Sequence, residues 1–312
     1  MSVHRHLVEV VAALPLGLVL PALGRLLRGR HAALCLHRVY DTRRSGDAVP
    51  RMSHTPDQLD EVLRLLLRAR PASDPPWLTL TFDDGYAGAA DYVESRAPQY
   101  PGVEWLFFVC PEKTEKQVGF RWDLYEWQRH RKIDGPAFDQ LMAERLDVEA
   151  ENSREDLRQA ALEPEFRLAT VEQVKRLERH PNVSIGNHTN THFKPTTIAD
   201  EAFGRDVELS NATFERLFGP CRHFAFPFGH PDLEFTEGHV RQARQPGPAV
   251  LWSTEAGTYV PGARNPGAVL PRFPVNGRLS PRQIVAWMFL VVLRQQLAPR
   301  TRWSSDLSPD AA

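Results

Sequence analysis

Cysteine is scarce in this chain: Cys35, Cys110 and Cys221 are the only three in 312 residues. An odd count without a Cys-x2-Cys spacing excludes a disulfide framework and argues against a thiolate zinc site. Each lies at or near an expected strand, where a free Cys serves as small core filler, and the pattern leans towards a reducing compartment. Net charge is also nearly absent, at −1 from 38 basic and 39 acidic residues. The sequence therefore carries no electrostatic footprint of a nucleic-acid binder. No internal repeat or low-complexity tract is present, which excludes solenoids and linkers. No apolar run reaches the roughly 20 residues of a membrane span. The uncharged stretch 10–24 comes nearest, and Pro15 and Pro21 interrupt it.

Punctuation and core formers are abundant. The chain has 26 prolines and 19 glycines, and 42% of its residues are hydrophobic against 25% charged, which suits one large domain with a full core. Strand-like runs at 32–37, 77–82, 105–110, 183–185, 223–226, 250–252 and 270–275 alternate with helical stretches such as 56–70 and 200–218. This alternation predicts an α/β barrel, whose chemistry gathers at the C-terminal ends of the strands.

Two short segments stand at such ends. The run 77–82 (WLTLTF) closes on Asp83-Asp84-Gly85. Adjacent carboxylates raise one another's pKa unless a cation neutralises them. A metal on one of them lets both stay ionised, whereas a turn or helix N-cap is the plainer reading of Asp-Gly. About a hundred residues later, 183–185 runs into Asn187-His188-Thr189-Asn190-Thr191-His192. Neutral imidazoles ligate zinc and similar divalent ions, and His188 and His192 share a face if the turn between them is helical. The alternative is a pair of surface histidines in a polar loop. Two strand ends bearing these groups together favour one metal with O,N,N ligands and a spare carboxylate beside it. A two-His-one-carboxylate iron oxygenase would have such a set too, but on a β jelly roll, which this pattern does not resemble.

The segments TFDDG (81–85), HTNTH (188–192) and FAFPFG (224–229), in that order, resemble the successive motifs of the polysaccharide deacetylases, the NodB-homology or carbohydrate esterase family 4 enzymes. LCLHRV (34–39) resembles the strand that opens that domain, and LPRFPV (270–275) a late strand of one branch. The resemblance spans about 32–278 and implies a distorted barrel of seven strands, with a catalytic domain over 31–280. It implies that Asp83 is the catalytic base and that Asp84, His188 and His192 hold one divalent metal. Zn2+ is the expected ion, with Co2+, Ni2+ and Fe2+ as alternatives. The backbone N–H of Phe228 is the implied oxyanion donor. The implied reaction is hydrolysis of an N-acetyl group on an amino sugar of a glycan or glycolipid. A ureide or formamide hydrolase and an inactive glycan-binding homologue are the alternatives.

Two positions depart from the pattern. Ala225 stands where many members have an orienting Arg, and no histidine follows His239 to form the late Leu-x-His motif. Arg272 is the candidate replacement for the Arg and His37, at a strand end, for the acid that protonates the departing amine.

Between two strands lies a long charged segment, about 111–170, expected as helical excursions over the active face, with Thr170 and Gln173 opening a helix as a capping box. Its Trp122, Tyr125 and Trp127 either stack on sugar rings or pin the insertion to the barrel, and His230 is a candidate for the cleft. At the ends, 1–30 is an apolar helical segment in which uncharged 10–24 is followed by Arg25, Arg28 and Arg30, and 281–312 is a helix and tail in which apolar 284–293 precedes Arg294, Arg300 and Arg302. Such segments suit helices lying on an anionic membrane face, or else packing on the outside of the barrel. With no clear signal-peptide cleavage site, the expected location is cytoplasmic and peripheral at the cytoplasmic membrane.

Overall fold

A computed structural model describes residues 3–40, 52–73, 75–143, 148–262 and 268–297. Arg300, Arg302 and the tail 298–312 lie outside the described residues.

The barrel strands are β1 (His31–Leu36), β2 (Leu78–Phe82), β3 (Glu104–Val109), β4 (Val183–Asn187), β5 (His223–Ala225), β6 (Val250–Trp252), β7 (Val269–Leu270) and β8 (Phe273–Pro274). They hydrogen-bond in the order β7-β6-β5-β4-β3-β2-β1-β8, all parallel. Thr258–Tyr259 adds an antiparallel pair on β1. Both ends of the sheet come from the single segment 269–274, so the sheet curls round to meet itself as a nearly closed barrel. The expected strand 270–275 is thus split in two. Pro271 has no N–H to give a ladder, and the break lets one half pair with β6 and the other with β1. Counted this way the barrel has seven strand positions, as the resemblance implies.

Helices cover the outside. They include α1 (Val3–Ala13), α2 (Leu16–Leu26), α3 (Pro56–Ala69), α4 (Arg121–Arg131), α5 (Val171–Leu177), α6 (Asp200–Phe218) and α7 (Pro281–Leu297), with further helices between. Covered on both faces, β1 and β2 are buried along their whole length. In α3, Thr55 caps the Gln58 N–H at 3.2 Å and Pro56 takes the first turn, while Leu59, Val62, Leu63 and Leu66 bury one face. The Thr170–Gln173 capping box forms at the start of α5.

The termini pack together. α7 lies against α1, α2 and α3, burying Ile284, Val285, Met288 and Val292, and α2 buries Val19, Leu20 and Leu23 against its neighbours. The apolar run of α7 therefore contributes to the core, with Trp287, Phe289 and Val291 half-buried against it. Among the described residues no single helix is long and apolar enough to cross a membrane; α1 and α2 meet at a bend of 113° around Leu14-Pro15.

Candidate metal centre and active site

Because the strands are parallel, their C-terminal ends share one rim. Leu36 pairs with Phe82, so the next residues, His37 and Asp83, stand side by side. Val109 pairs with Asn187, which brings His188 to the same rim, held by its N–H on the Val109 carbonyl at 2.9 Å. Asp84 turns out of β2 in the left-handed region (φ 72°), followed by Gly85 at φ 78°. A short polar side chain tolerates that conformation, and the turn aims the carboxylate across the rim.

The segment from His188 to His192 is not helical. Thr189 and His192 both have left-handed φ, 64° and 58°. Thr189 Oγ1 accepts the His192 N–H at 3.1 Å, and Asn187 Oδ1 accepts the Thr189 N–H at 3.0 Å. Asp206 on α6 accepts from the N–H groups of Asn190 and Thr191 and from the Thr191 hydroxyl. These side-chain bonds replace the i to i+4 ladder. The imidazoles meet through two tight turns, with ring centroids 4.7 Å apart.

Asp84, His188 and His192 converge. His192 Nε2 lies 3.1 Å and His188 Nε2 3.6 Å from Asp84 Oδ1. Ligand atoms arranged tetrahedrally on zinc stand roughly 3.3 Å apart. His188 is oriented by its other nitrogen, Nδ1, on the Ala225 carbonyl at 2.8 Å, the usual device for directing Nε2 to an ion. Both Asp84 oxygens are buried with no hydrogen-bond partner among the described residues, although His192 Nε2 is close. A buried carboxylate left without donors is costly unless a cation occupies the space it faces. Burial is the main force lowering His188, to about 4, which leaves it a neutral donor at neutral pH. For Asp84, burial acts to raise the carboxyl, but His192, His37 and His188 together hold it below the ordinary carboxylate value. The residues present fit a divalent metal.

Asp83 sits beside this trio, its Oδ2 3.8 Å from His188 Nε2. Arg272 grips it as a fork, Nη1 to Oδ1 at 2.6 Å and Nη2 to Oδ2 at 2.9 Å. The same guanidinium bonds Thr81 Oγ1 and the Ser253 carbonyl and lies over the Phe108 ring. Burial would raise the Asp83 carboxyl, and Arg272 overcomes it, keeping the group lowered. Ala225 has no side chain that could make this contact, and Arg272 makes it from the segment between β7 and β8. One His37 ring nitrogen, the Cys35 thiol and an Asp83 oxygen lie within 4.8 Å of one another. The His37 Nδ1 is buried without a partner among the described residues, and burial is the first cause lowering its pKa.

Phe228 has φ 61°, a turn stabilised by the Thr254 hydroxyl on its carbonyl at 2.9 Å and the Thr254 N–H on the Gly229 carbonyl at 2.7 Å. Its ring lies 5.2 Å from that of His192. Phe228, His37 and Asp83 line one cavity of about 700 Å³ together with His188 and His192.

Of Trp122, Tyr125 and Trp127, Trp122 lines this cavity, beside Phe120 and Phe138. It stacks on Phe120 at 4.6 Å and meets His192 edge-on at 4.9 Å. Its indole N–H donates to Tyr86, whose hydroxyl donates to Asp123, and Asp123 is held by Arg38. Tyr125 packs on Phe138 and Trp127 on Arg131, both outside the cavity. His230 is exposed and also outside it. Asp206 carries no signal in the sequence, and Cys35 reads there as core filler, because a single acid within a helix or a thiol in a strand points to a site only through its neighbours in space.

A family model described as polysaccharide deacetylase matches residues 70–246. Solved structures share the fold at low identity. The Streptococcus pyogenes deacetylase PplD in complex with acetate is 13% identical with a TM-score of 0.54, over 83% of this chain and 98% of that one. IcaB from Ammonifex degensii is 18% identical with a TM-score of 0.51, over 83% and 97%. The polysaccharide deacetylase BC0361 from Bacillus cereus is 12% identical with a TM-score of 0.53, over 83% and 69%. No curated protein sequence is significantly similar to it.

Proposed function

The chain belongs to the polysaccharide deacetylase family, and from that premise we propose that it is a divalent-metal hydrolase removing the N-acetyl group of an amino sugar in a glycan or glycolipid. Membership makes it a hydrolase of carbon–nitrogen bonds other than peptide bonds. The finer reading rests above all on Asp84, a buried carboxylate whose only close polar neighbours among the described residues are the imidazoles of His188 and His192, next to a second carboxylate clamped by Arg272.

Asp84, His188 and His192 would hold the ion, and this donor set suits Zn2+, with Co2+, Ni2+ or Fe2+ as alternatives. A bound ion supplies Lewis acidity, acidifying water and polarising the acetyl carbonyl. Asp83 accepts the proton as water adds to the acetyl carbon. Arg272 fixes both its oxygens, so the base is oriented before substrate arrives. The N–H of Phe228, which has no backbone partner among the described residues, donates to the developing oxyanion. His37 is neutral at rest and within 4.8 Å of Asp83. It relays that proton to the amine as the carbon–nitrogen bond breaks, leaving acetate and a free amino sugar.

Contact of the terminal helices with a membrane, on the cytoplasmic side, belongs to the same proposal. Leu7, Val10, Leu14 and Leu18 of α1, α2 and their junction are exposed.

Elemental analysis with an acetate-release assay on N-acetylglucosamine oligomers tests this. We expect about one ion per chain and loss of both ion and turnover in Asp84→Ala. Undiminished acetate release by that variant would overturn the metal mechanism. Turnover of formamides or ureides, with none of the oligomers, would transfer the site to a non-sugar amide. Glycan binding without any turnover would make the protein a lectin-like homologue.

A further inference from the structure

The exposed leucines occupy a definite place on the barrel. α2 is joined to β1 by residues 27–30 and runs antiparallel to it, so the C-terminal end of α2 lies at the foot of β1. Arg70 at the end of α3 reaches the Leu27 and Arg30 carbonyls there, at 2.5 and 3.0 Å. The N-terminal end of α2 therefore lies at the rim where β1 delivers His37. α7 begins at the same rim, five positions after Asn276, a residue of the cavity wall. Three bonds tie these parts together. Arg282 donates to the Leu14 carbonyl at 3.5 Å, and Gln58 at the start of α3 donates to the Gly277 and Leu279 carbonyls.

At that rim the α1–α2 corner is apolar and open. Leu7, Val10 and Leu14 follow one another at helical spacing, Leu14 is 43% and Leu18 66% exposed, and Pro15 and Gly17 between them are exposed too. Along α2 the exposed side changes from Leu18 and Pro21 at the rim to Arg25 and Arg28 at the foot. Arg282 is exposed beside the corner. An apolar end flanked by arginines is the pattern of a surface that dips into an anionic bilayer and leaves its cations among the headgroups. The cavity wall nearest α3 and α7 is itself largely apolar, formed by Met52, Pro274, Val275 and Asn276.

From this placement we infer that the α1–α2 corner docks on an anionic lipid bilayer with the active-site rim beside it, so that the substrate is an N-acetylated amino sugar carried on a membrane lipid. The substrate part of this inference rests on the deacetylase reading; the docking part does not. A bilayer-embedded carrier would present its sugar at the height of the rim, with the first carbons of the lipid passing Val275 and Met52. A soluble polysaccharide would have no use for an apolar corner at this end.

The test uses the full metal-loaded chain with vesicles of phosphatidylglycerol and phosphatidylcholine, with and without N-acetylglucosaminyl polyprenyl diphosphate. The comparison variant is Leu14→Asp/Leu18→Asp; both side chains are exposed, so folding should be spared. We expect the parent to sediment with anionic vesicles and the variant at least about tenfold less. Turnover of the vesicle-borne sugar should fall in step with binding, while turnover of soluble oligomers stays the same. Equal vesicle binding by parent and variant, or none by the parent, overturns the docking surface. A self-association that the variant abolishes, without vesicle binding, gives the corner to a second copy of the chain and also overturns it. Vesicle binding lost in the variant with vesicle-borne turnover kept overturns the lipid-carried substrate. If the parent binds vesicles but hydrolyses neither the soluble nor the embedded sugar, the deacetylase reading fails, and the lipid-carried substrate with it, while the docking surface is supported.

Discussion

At the scale of residues, the site depends on which groups are left unsatisfied and which are over-determined. Asp84 is buried and open to a cation, whereas Asp83, next to it in sequence, is tied by both oxygens to Arg272. Neighbours in the chain thus receive different roles from their surroundings. Lysine offers a point charge and cannot reproduce the planar fork. Arg272→Lys should keep about one metal per chain while kcat falls about a hundredfold, the cost of a base displaced by an ångström or so. Steady-state kinetics with elemental analysis would check this. A fall in metal content equal to the fall in kcat would mean that Arg272 supports the metal and not the base. Ala225 offers only its carbonyl, which accepts from His188 Nδ1, while the guanidinium on Asp83 comes from Arg272, between the two strands that close the barrel.

Among elements, the loop after β4 carries the strongest local constraint. It holds two non-glycine residues at positive φ, conformations that persist only when their surroundings demand them. Asp206 supplies that demand from α6. Asp206→Ala would leave two buried N–H groups and a hydroxyl without an acceptor, at about 1–3 kcal/mol each before relaxation. Metal affinity should fall about 10–100-fold, with kcat recovering at saturating metal. Chelator-competition titration measures the first and an activity titration the second; unchanged affinity would remove Asp206 from a positioning role. The existence and order of strands and helices were readable from apolar runs and punctuation. The path of this loop was not, because an i, i+4 spacing suits a helix and a pair of left-handed turns alike. The division of 270–275 was equally hidden, since Pro271 announces a break but not which strand each half joins.

For the whole molecule, burial of neutral histidines makes folding sensitive to acid. His31, His188 and His223 are each lowered to about 4, burial being the main cause. Between the ordinary value of 6.5 and about 4, the unfolded chain takes up protons that the folded chain refuses. Stability therefore falls as pH drops through that window and is unaffected by these groups above it. His31 lies at the foot of β1, stacked on Tyr259 and bonded to Thr79 at 2.7 Å, away from the metal ligands. His31→Gln should flatten the slope of stability against pH by up to about 1.4 kcal/mol per unit in this window. Urea midpoints of the metal-free protein at pH 7 and pH 5 measure it, and an unaltered slope would mean that His31 titrates normally in the folded state. Added Zn2+ should raise the melting temperature of the parent and leave that of Asp84→Ala unmoved, since ligation stabilises only the folded form that assembles it.

The amino-acid sequence alone determined the alternation of strands and helices, hence the barrel, and placed each candidate ligand at a strand end, because periodicity and punctuation are local properties. It also held the motifs that identify the family. Three matters were decided only in three dimensions: that Arg272 reaches Asp83 across 189 positions, that Trp122 and not Tyr125 or Trp127 lines the cavity, and that the apolar corner lies at the rim of the site. Each depends on which strands are neighbours and which way helices run back, and those are set by the packing of the whole core, to which every segment contributes and which no single segment encodes.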